Sequence, residues 1–565
     1  MNRDMKKISK GVEDFKEIID KNGYFVDKTL MIEELLESNA KVTLFTRPRR
    51  FGKTLNQSMI RRFFEDEITE QGERIDNSYL FDGLNISRCS ENILQHQQKY
   101  PVVFLSLKSA KQPDYDRAYN CIIDEICKEF ERHSYVLDED MSERNRQIYE
   151  RIRLGQGSLA EYSKALALLS ECLSKYHGYN TYILIDEYDV PLETGYSEGF
   201  YDKMSRFIRS LFESALKTNP YLERGIITGC LRISKESIFT GLNNLDVHSI
   251  QSPHYSDFFG FTEEEVKAIL KYYGFSDKYP EVKKWYDGYR FAKAEIYNPW
   301  SILSYVYDLQ GDPNTFAKPY WSNTSSNSIV RELIAEADDN VRAELEILMD
   351  GGTIEKPVHE DITYEDVHAS RDNLWNFLFF TGYLKAGRQR MENETIYLEM
   401  AIPNSEIKAI YRRSISEWFK EKIEKTDRSP LINALETGDC KAAEEFISRQ
   451  LMDTISYFDY AENYYHGFLA GLLTGADNYS VLSNRESGNG RPDIVLTERK
   501  FMGRAIILEL KITYVFKDME LKCREALEQI ENQKYAQPLE DNGYQEILKY
   551  AVCFFKKGCI VRKQI

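Results

Sequence analysis

Val42-Thr-Leu-Phe-Thr-Arg-Pro-Arg-Arg-Phe-Gly-Lys-Thr54 is the stretch on which the fold turns. Val42 to Phe45 reads as a short strand and the residues after Lys53 as the opening of a helix, so Thr46 to Thr54 is the turn between them. Such a turn aims backbone amides and a helix terminus at one point, where they surround phosphate oxygens. Gly52 permits close backbone approach, Lys53 neutralises β/γ-phosphate charge, Thr54 offers a hydroxyl to Mg²⁺, and Arg50 adds a further cation. Arg47 stands where the general pattern G-x-x-x-x-G-K-[ST] has its first glycine, and a plain basic strand-to-helix turn is the competing reading.

A second stretch supports the nucleotide reading. Tyr182-Ile-Leu-Ile-Asp186-Glu187 is an apolar strand that delivers two acids at its carboxyl end. Asp186 can hold Mg²⁺ through its water shell, and Glu187 can orient or deprotonate an attacking water. Neighbouring strand residues point to opposite faces, so both acids reach one site only if the strand exit bends. Asp189 either shapes the magnesium shell or serves the local fold. Thr228 and Arg232, at and beyond the strand Gly225 to Cys230, are candidates to sense the γ-phosphate, with structural pairing as the alternative for the arginine.

Outward from these motifs, residues 12 to 290 alternate strands with longer amphipathic segments. The strands Val42 to Phe45, Val102 to Leu107, Tyr182 to Ile185 and Gly225 to Cys230 are continuous apolar runs, the pattern of a mostly parallel sheet covered on both faces. Helices are expected around 53–66, 115–132, 159–175 and 200–217; the polar run 134–150 is a solvated segment. A chain of 565 residues implies two to four domains. The domains are expected at 1–290, 291–455 and 456–565. The middle one is helix-rich, with an irregular segment at 311–327, an aromatic run from Trp375 to Leu384 that reads as core, and one hairpin that includes Thr395 to Leu398.

Composition narrows the function classes. Lys and Arg number 74 against 91 Asp and Glu, a net charge of −17, so a nucleic-acid contact must use a local basic surface or bridging cations. Nine cysteines occur singly without CxxC pairs, which points to reduced thiols and a cytoplasmic address. No apolar run reaches the roughly 20 residues of a membrane span, and the first residues lack a signal-peptide core. Zinc-ligand spacing, a serine-hydrolase elbow and a dinucleotide glycine fingerprint are absent.

The last hundred residues carry a different chemistry. Arg491-Pro-Asp493 enters one strand, and Ala505-Ile-Ile-Leu-Glu509-Leu-Lys511 forms the next after a polar turn. Glu509 and Lys511, two apart, share a face while Leu510 points into packing. Asp493 and Glu509 can hold a hard divalent cation, Mg²⁺ or Mn²⁺, and Lys511 can place the hydrolytic water and stabilise added charge, which suits phosphodiester hydrolysis. Glycines 488 and 490 precede Asp493 in a turn where unusual backbone conformations are expected.

Together these motifs resemble a bacterial and archaeal AAA-ATPase-like family whose members join a P-loop NTPase to a C-terminal PD-(D/E)xK nuclease-like domain. The resemblance spans essentially the whole chain. It rests on Tyr24-Phe-Val-Asp27-Lys28-Thr29, Arg47 to Thr54, Leu184-Ile-Asp-Glu-Tyr-Asp189, Thr228-Gly-Cys-Leu-Arg232-Ile-Ser-Lys235, Phe239 to Leu245, Trp285-Tyr-Asp-Gly-Tyr289 and Tyr297-Asn-Pro-Trp-Ser301. It implies an ATPase core and a helical or winged-helix-like middle, and in this family an arginine at the position of Arg47 is usual. Tyr24 and Phe25 are candidate adenine contacts or simply packing for the sheet. Pro492-Asp493 and Glu509-Leu-Lys511 match the two main nuclease elements, Glu462 the helix acid, and Gln529 and Tyr535 the glutamine and tyrosine of the following helix. His466, four residues after Glu462, faces the metal site or serves the core. Six residues separate Gln529 from Tyr535, which does not put both on one helical face.

The leading expectation is therefore an α/β multidomain ATP-dependent enzyme that cuts nucleic acid, DNA first, with ATP regulating access or assembly, homo-oligomers included. The rival is an ATP-controlled signalling or interaction protein whose nuclease-like domain binds without cutting.

Overall fold

Short apolar runs build the first sheet. β1 (Val42–Thr46), β2 (Val102–Ser106), β3 (Thr181–Asp186), β4 (Leu222–Gly229) and β5 (Leu245–His248) lie in the order β2-β3-β4-β1-β5, every neighbouring pair parallel. All residues of β1 and β3 are buried. Fully burying side chains such as Ile183, Leu184 and Ile185 contributes roughly 1.5–3 kcal/mol each. Because the strands are parallel, the turns after β1, β3 and β4 leave the same edge. The expected strands are present. β5, Leu-Asp-Val-His, has no signal in the sequence, because a short edge strand with alternating polar residues has no apolar run.

The computed structural model describes residues 5–138, 141–232, 238–239, 244–321, 328–359, 370–452, 462–474, 478–483, 490–500 and 502–564. Helices Lys53–Phe64 and Tyr115–Arg132 fall where the periodicity puts them. The expected helix 159–175 is broken into Leu159–Tyr162 and Ala165–His177, and 200–217 is Tyr201–Phe212 followed by a π turn, Glu213–Lys217.

The chain gathers into two compact units, Met1–Ser326 with Thr353–Ala409, and Asn327–Gly352 with Ile410–Ile565. The stretch 291–455, expected as a domain of its own, is thus divided between them. The first unit adds the ribbon β6 (Tyr289–Phe291) and β7 (Ala294–Ile296), and an antiparallel sheet of β8 (Ile354–Pro357), β9 (Lys385–Glu392) and β10 (Thr395–Ala401) in the order β8-β10-β9. The β9–β10 hairpin closes through Asn393 and Glu394, both at positive φ, as a two-residue hairpin loop requires. The aromatic run begins in the helix Arg371–Phe380 and ends in the turn that follows it; Trp375 and Phe379 are core residues.

In the second unit β11 (Tyr479–Ser483), β12 (Ile494–Glu498), β13 (Arg504–Ile512), β14 (Glu546–Phe555) and β15 (Gly558–Lys563) form a mixed sheet in sequential order, with only β13 and β14 parallel. Alternation sorts its two faces. Leu508 and Leu510 join Tyr465, Leu469 and Leu472 of the helix Glu462–Leu473. Ala505 and Ile507 pack with Ile530 of the helix Met519–Asn532. Glu509 and Lys511 continue that second face. Among the described residues no helix is long and apolar enough to cross a membrane.

Candidate functional site

The turn after β1 is held open by its backbone. Gly52 has φ 85° and caps the helix that begins at Lys53; a Cβ there would meet nothing within 4 Å, so conformation rather than space requires glycine. Arg50 is also left-handed, at φ 70°. The Lys53 amine donates to the carbonyls of Arg47 (2.9 Å) and Pro48 (3.1 Å), which keeps a nearly buried cation at the loop.

Asp186, at the end of β3, is wholly buried and accepts hydrogen bonds from Thr54 Oγ1 (2.8 Å) and Thr228 Oγ1 (2.5 Å). Burial pushes its pKa up; the hydroxyls and Lys53 oppose that shift, and the Glu187 charge adds to it. Glu187 sits at φ 52°, so the strand exit bends at the second acid. Lys53, Thr54 and Glu187 line a cavity of about 290 Å³ whose apolar walls include Tyr24, Phe25, Phe261 and Trp300. Tyr24 packs on Tyr272 (centroids 4.9 Å apart) and Phe25 on Phe15 (5.0 Å), so both serve wall and packing at once.

Three of the candidate residues do not line this cavity. The Arg47 guanidinium does not face the cavity: it is fully buried and donates to the carbonyls of Thr46 (2.9 Å), His248 (2.7 Å) and Tyr255 (3.2 Å), with the Phe259 ring 4.8 Å away. Burial lowers its pKa to about 9, so it remains a cation at neutral pH and ties β1 to the end of β5 and to the segment after it. Thr228 lies beneath Asp186, sharing its hydroxyl with Gln57 Nε2 (3.3 Å), and does not line the cavity. Arg232, three residues past β4, is not a lining residue either.

Asp189 is bonded to the turn after β4. It accepts the amides of Cys230 (2.7 Å) and Leu231 (3.1 Å), pinning the turn after β4, and burial raises its pKa to about 6. Arg50 lies over the Trp300 ring at 4.6 Å, and Arg49 pairs with Glu193. Sequence reasoning assigned no role to Gln57, whose amide reaches the Ile185 carbonyl (3.0 Å), or to Trp300. A signal for Trp300 existed: Asn298-Pro299 is a helix start, with Asn298 accepting the Trp300 amide at 2.9 Å, so Trp300 falls in a first turn.

In the second unit Asp493 precedes β12, and its Oδ2 accepts the Leu510 amide of β13 at 2.7 Å, so the backbone itself brings it beside Glu509. Glu509 is 2 % exposed, and its Oε2 is buried without a hydrogen-bond partner. Burial first, then the Asp493 charge, pushes its pKa up to about 7, against the pull of Lys511. Lys511 Nζ donates to Glu509 Oε1 (3.2 Å) and Gln529 Oε1 (2.8 Å), and Gln529 Nε2 reaches the Tyr535 hydroxyl (3.3 Å).

Gln529 and Tyr535 meet because the helix ends at Asn532 and the chain turns back through Lys534 at φ 52°. Gly490 is not in the left-handed region; a Cβ there would come within 3.0 Å of the Tyr535 hydroxyl, so its reason is close approach. His466 Nε2 lies 2.9 Å from the Asp493 carbonyl and 3.0 Å from Ser483 Oγ, fastening the helix to the turn before β12. Glu462 opens that helix, but its side chain lies outside the described residues, as do Gly488 and Lys235. Among the described residues no group of three or more His, Cys, Asp or Glu side chains is assembled for a metal ion. Two carboxylates with an orphaned buried oxygen and a lysine do fit a hard cation.

Comparison with known proteins follows this division. Residues 9–239 match the family model described as predicted AAA-ATPase, and residues 460–564 that of the PD-(D/E)XK nuclease superfamily. The chain therefore carries an AAA-ATPase-like domain followed by a PD-(D/E)XK nuclease-superfamily domain, in the order that the motifs imply. A curated relative, "Uncharacterized protein in vnfD 5'region" of Azotobacter chroococcum mcd 1, is 23 % identical over 557 residues, covering 95 % of this chain and 94 % of its own. Among solved structures, a chain of "Structure of Drosophila ORC bound to AT-rich DNA and Cdc6" aligns over 71 % of this chain and 91 % of its own, at 10 % identity and a TM-score of 0.16.

Proposed function

We propose that the chain binds and hydrolyses Mg-ATP in its first unit and, in its second, cleaves nucleic acid, DNA foremost, with a divalent metal. In the first site Lys53 neutralises phosphate charge, while Thr54 and Asp186 hold Mg²⁺. Glu187, turned into the cavity by its left-handed backbone, orients the attacking water. Tyr24, Phe25 and Trp300 offer apolar surface to the base. Bound Mg²⁺ would spread phosphate charge during transfer. Arg47, Asp189 and Thr228 act one step removed, by fixing the turns that carry these groups.

In the second site Asp493 and Glu509 would hold the metal, Mg²⁺ or Mn²⁺, with Glu462 a candidate third ligand. A cation there would supply Lewis acidity towards a phosphoryl oxygen and its bound water. Lys511 holds the attacking water and meets the charge added to phosphorus; Gln529 and Tyr535 fix the lysine's direction. The burial of Glu509 beside a second carboxylate, Asp493, with the Lys511 amine bonded to it, is the observation that carries this reading. Nine free thiols support a reducing, cytoplasmic setting, and ATP-dependent assembly into homo-oligomers is one form that regulation takes.

The test is a cleavage assay of the purified chain on plasmid, linear and single-stranded DNA, with and without ATP and with Mg²⁺ or Mn²⁺. Cutting that disappears in Lys511→Ala and survives Lys500→Ala supports the enzyme. The rival reading is a nucleotide-controlled binding protein that does not cut. Inactivity on every substrate, with ATP-dependent assembly intact, would establish that rival.

A further inference from the structure

Tyr514, Val515 and Phe516 are 80 %, 52 % and 68 % exposed, and among the described residues they form the only run of consecutive large apolar side chains left in water. Scattered exposed apolar residues need no explanation; a contiguous set does. This one stands directly after β13. Tyr514 is three residues past Lys511, so its Cα lies at most about 11 Å away, a few nucleotide steps at roughly 3.4 Å per step of one strand.

The loop is ordered by its own bonds. Thr513 is buried, its amide donates to the Phe554 carbonyl (3.0 Å), and its Oγ1 accepts the Val515 amide (3.1 Å) and donates to the Val515 carbonyl (3.0 Å). The Asp518 amide closes the turn on the same carbonyl at 3.0 Å, and the Phe516 ring lies edge-on to Phe555 at 5.8 Å. The cost of ordering this presentation is met by backbone and packing, so the rings are held ready rather than collapsed onto the surface. Lys517 and Lys556 are exposed beside them, with the Lys556 amine 5.6 Å from the Phe555 ring.

We infer that this loop is a stacking platform for an unpaired base next to the phosphate held at Asp493, Glu509 and Lys511, and that the substrate class is nucleic acid with a single-stranded or locally opened segment. The inference rests on the nuclease reading and deepens it. Exposed aromatics flanked by lysines are the combination that binds single strands: rings take bases, amines take phosphates. A closed duplex offers no free base face to such rings. In a chain of net charge −17, stacking also supplies affinity that does not depend on a positive field.

The experiment compares the full chain with its Tyr514→Ala/Phe516→Ala variant, in chelator to prevent cutting, by anisotropy with labelled single-stranded DNA, single-stranded RNA and blunt duplex DNA. Both side chains are exposed, so an unchanged melting curve is the expected fold control. The variant should bind single strands about tenfold more weakly, bind duplex within about twofold of the parent, and keep the same salt slope because no phosphate contact is lost. Tyr514→Trp should retain affinity and show indole quenching on adding single strand. Equal weakening for duplex and single strand, a changed salt slope, or no weakening at all would overturn the platform and leave the nuclease reading standing. An altered sedimentation with unaltered nucleic-acid binding would assign the patch to a second copy of the chain. Failure of the parent chain to bind any of the three would overturn both readings.

Discussion

Asp186 ends one strand and Glu509 lies within another, both carboxylates buried, yet the first has a donor for each oxygen and the second does not. Asp186 has two hydroxyl donors, Thr54 and Thr228, whereas Glu509 keeps one oxygen buried without a partner and has Asp493 for a neighbour. The first site is assembled by the protein's own hydrogen bonds and can stand without a cation. The second sets two carboxylates against one lysine, an excess of negative charge that a cation or a proton relieves. Metal should therefore matter to the stability of the second unit more than to that of the first.

The largest effects that could break this comparison are on activity. Lys511→Ala should lower cleavage by about 100- to 1000-fold, the range for losing one charge-stabilising donor, measured as initial rates on linear DNA; a loss under tenfold would remove Lys511 from the chemistry. Lys53→Ala should weaken ATP binding by about 10- to 100-fold, as for a charged hydrogen bond, while the second site keeps its metal affinity. Calorimetric ATP affinity that does not change would count against the placement of the phosphate.

A smaller effect sharpens the contrast between the acids. In chelator at pH 8, Glu509→Gln should stabilise the second unit by about 1–3 kcal/mol, because it removes a buried charge facing another. Asp186→Asn should gain less, since its charge already has donors. Chemical denaturation of the two variants decides it, and an equal gain in both would erase the difference.

The smallest effect concerns Glu406, which is fully buried in the first unit and accepts from Ser301 Oγ (2.8 Å) and the Trp321 amide (2.8 Å). Burial raises its pKa to about 7 against these two bonds. The folded chain thus holds this proton more tightly than the unfolded one. Its contribution to stability is greatest below the ordinary value near 4.5 and falls as pH rises to about 7. Glu406→Gln should remove about 1–2 kcal/mol of that slope, seen as a flatter plot of unfolding free energy against pH; an unchanged slope would contradict it.

Much of this was legible in the sequence where a local rule governs. Period-two alternation placed Glu509 and Lys511 on one face, and a strand-to-helix turn placed Gly52 and Lys53. What was not legible depends on distant partners. Nothing in the letters around Arg47 shows that its acceptors are the carbonyls of His248 and Tyr255, 201 and 208 residues away. The meeting of Gln529 and Tyr535 needed a left-handed Lys534 that no pattern announces. The membership of 327–352 in the second unit is likewise set by long-range pairs such as Arg331 with Glu421, 90 residues on.

The most direct measurement is a titration of the nucleotide-free chain with Mn²⁺, read by calorimetry or by the loss of free-ion paramagnetic signal. The two-site account predicts one ion taken up per chain, abolished by Glu509→Ala and by Asp493→Ala and unaltered by Lys53→Ala. Uptake that survives both carboxylate substitutions, or no uptake by the parent chain, would contradict it.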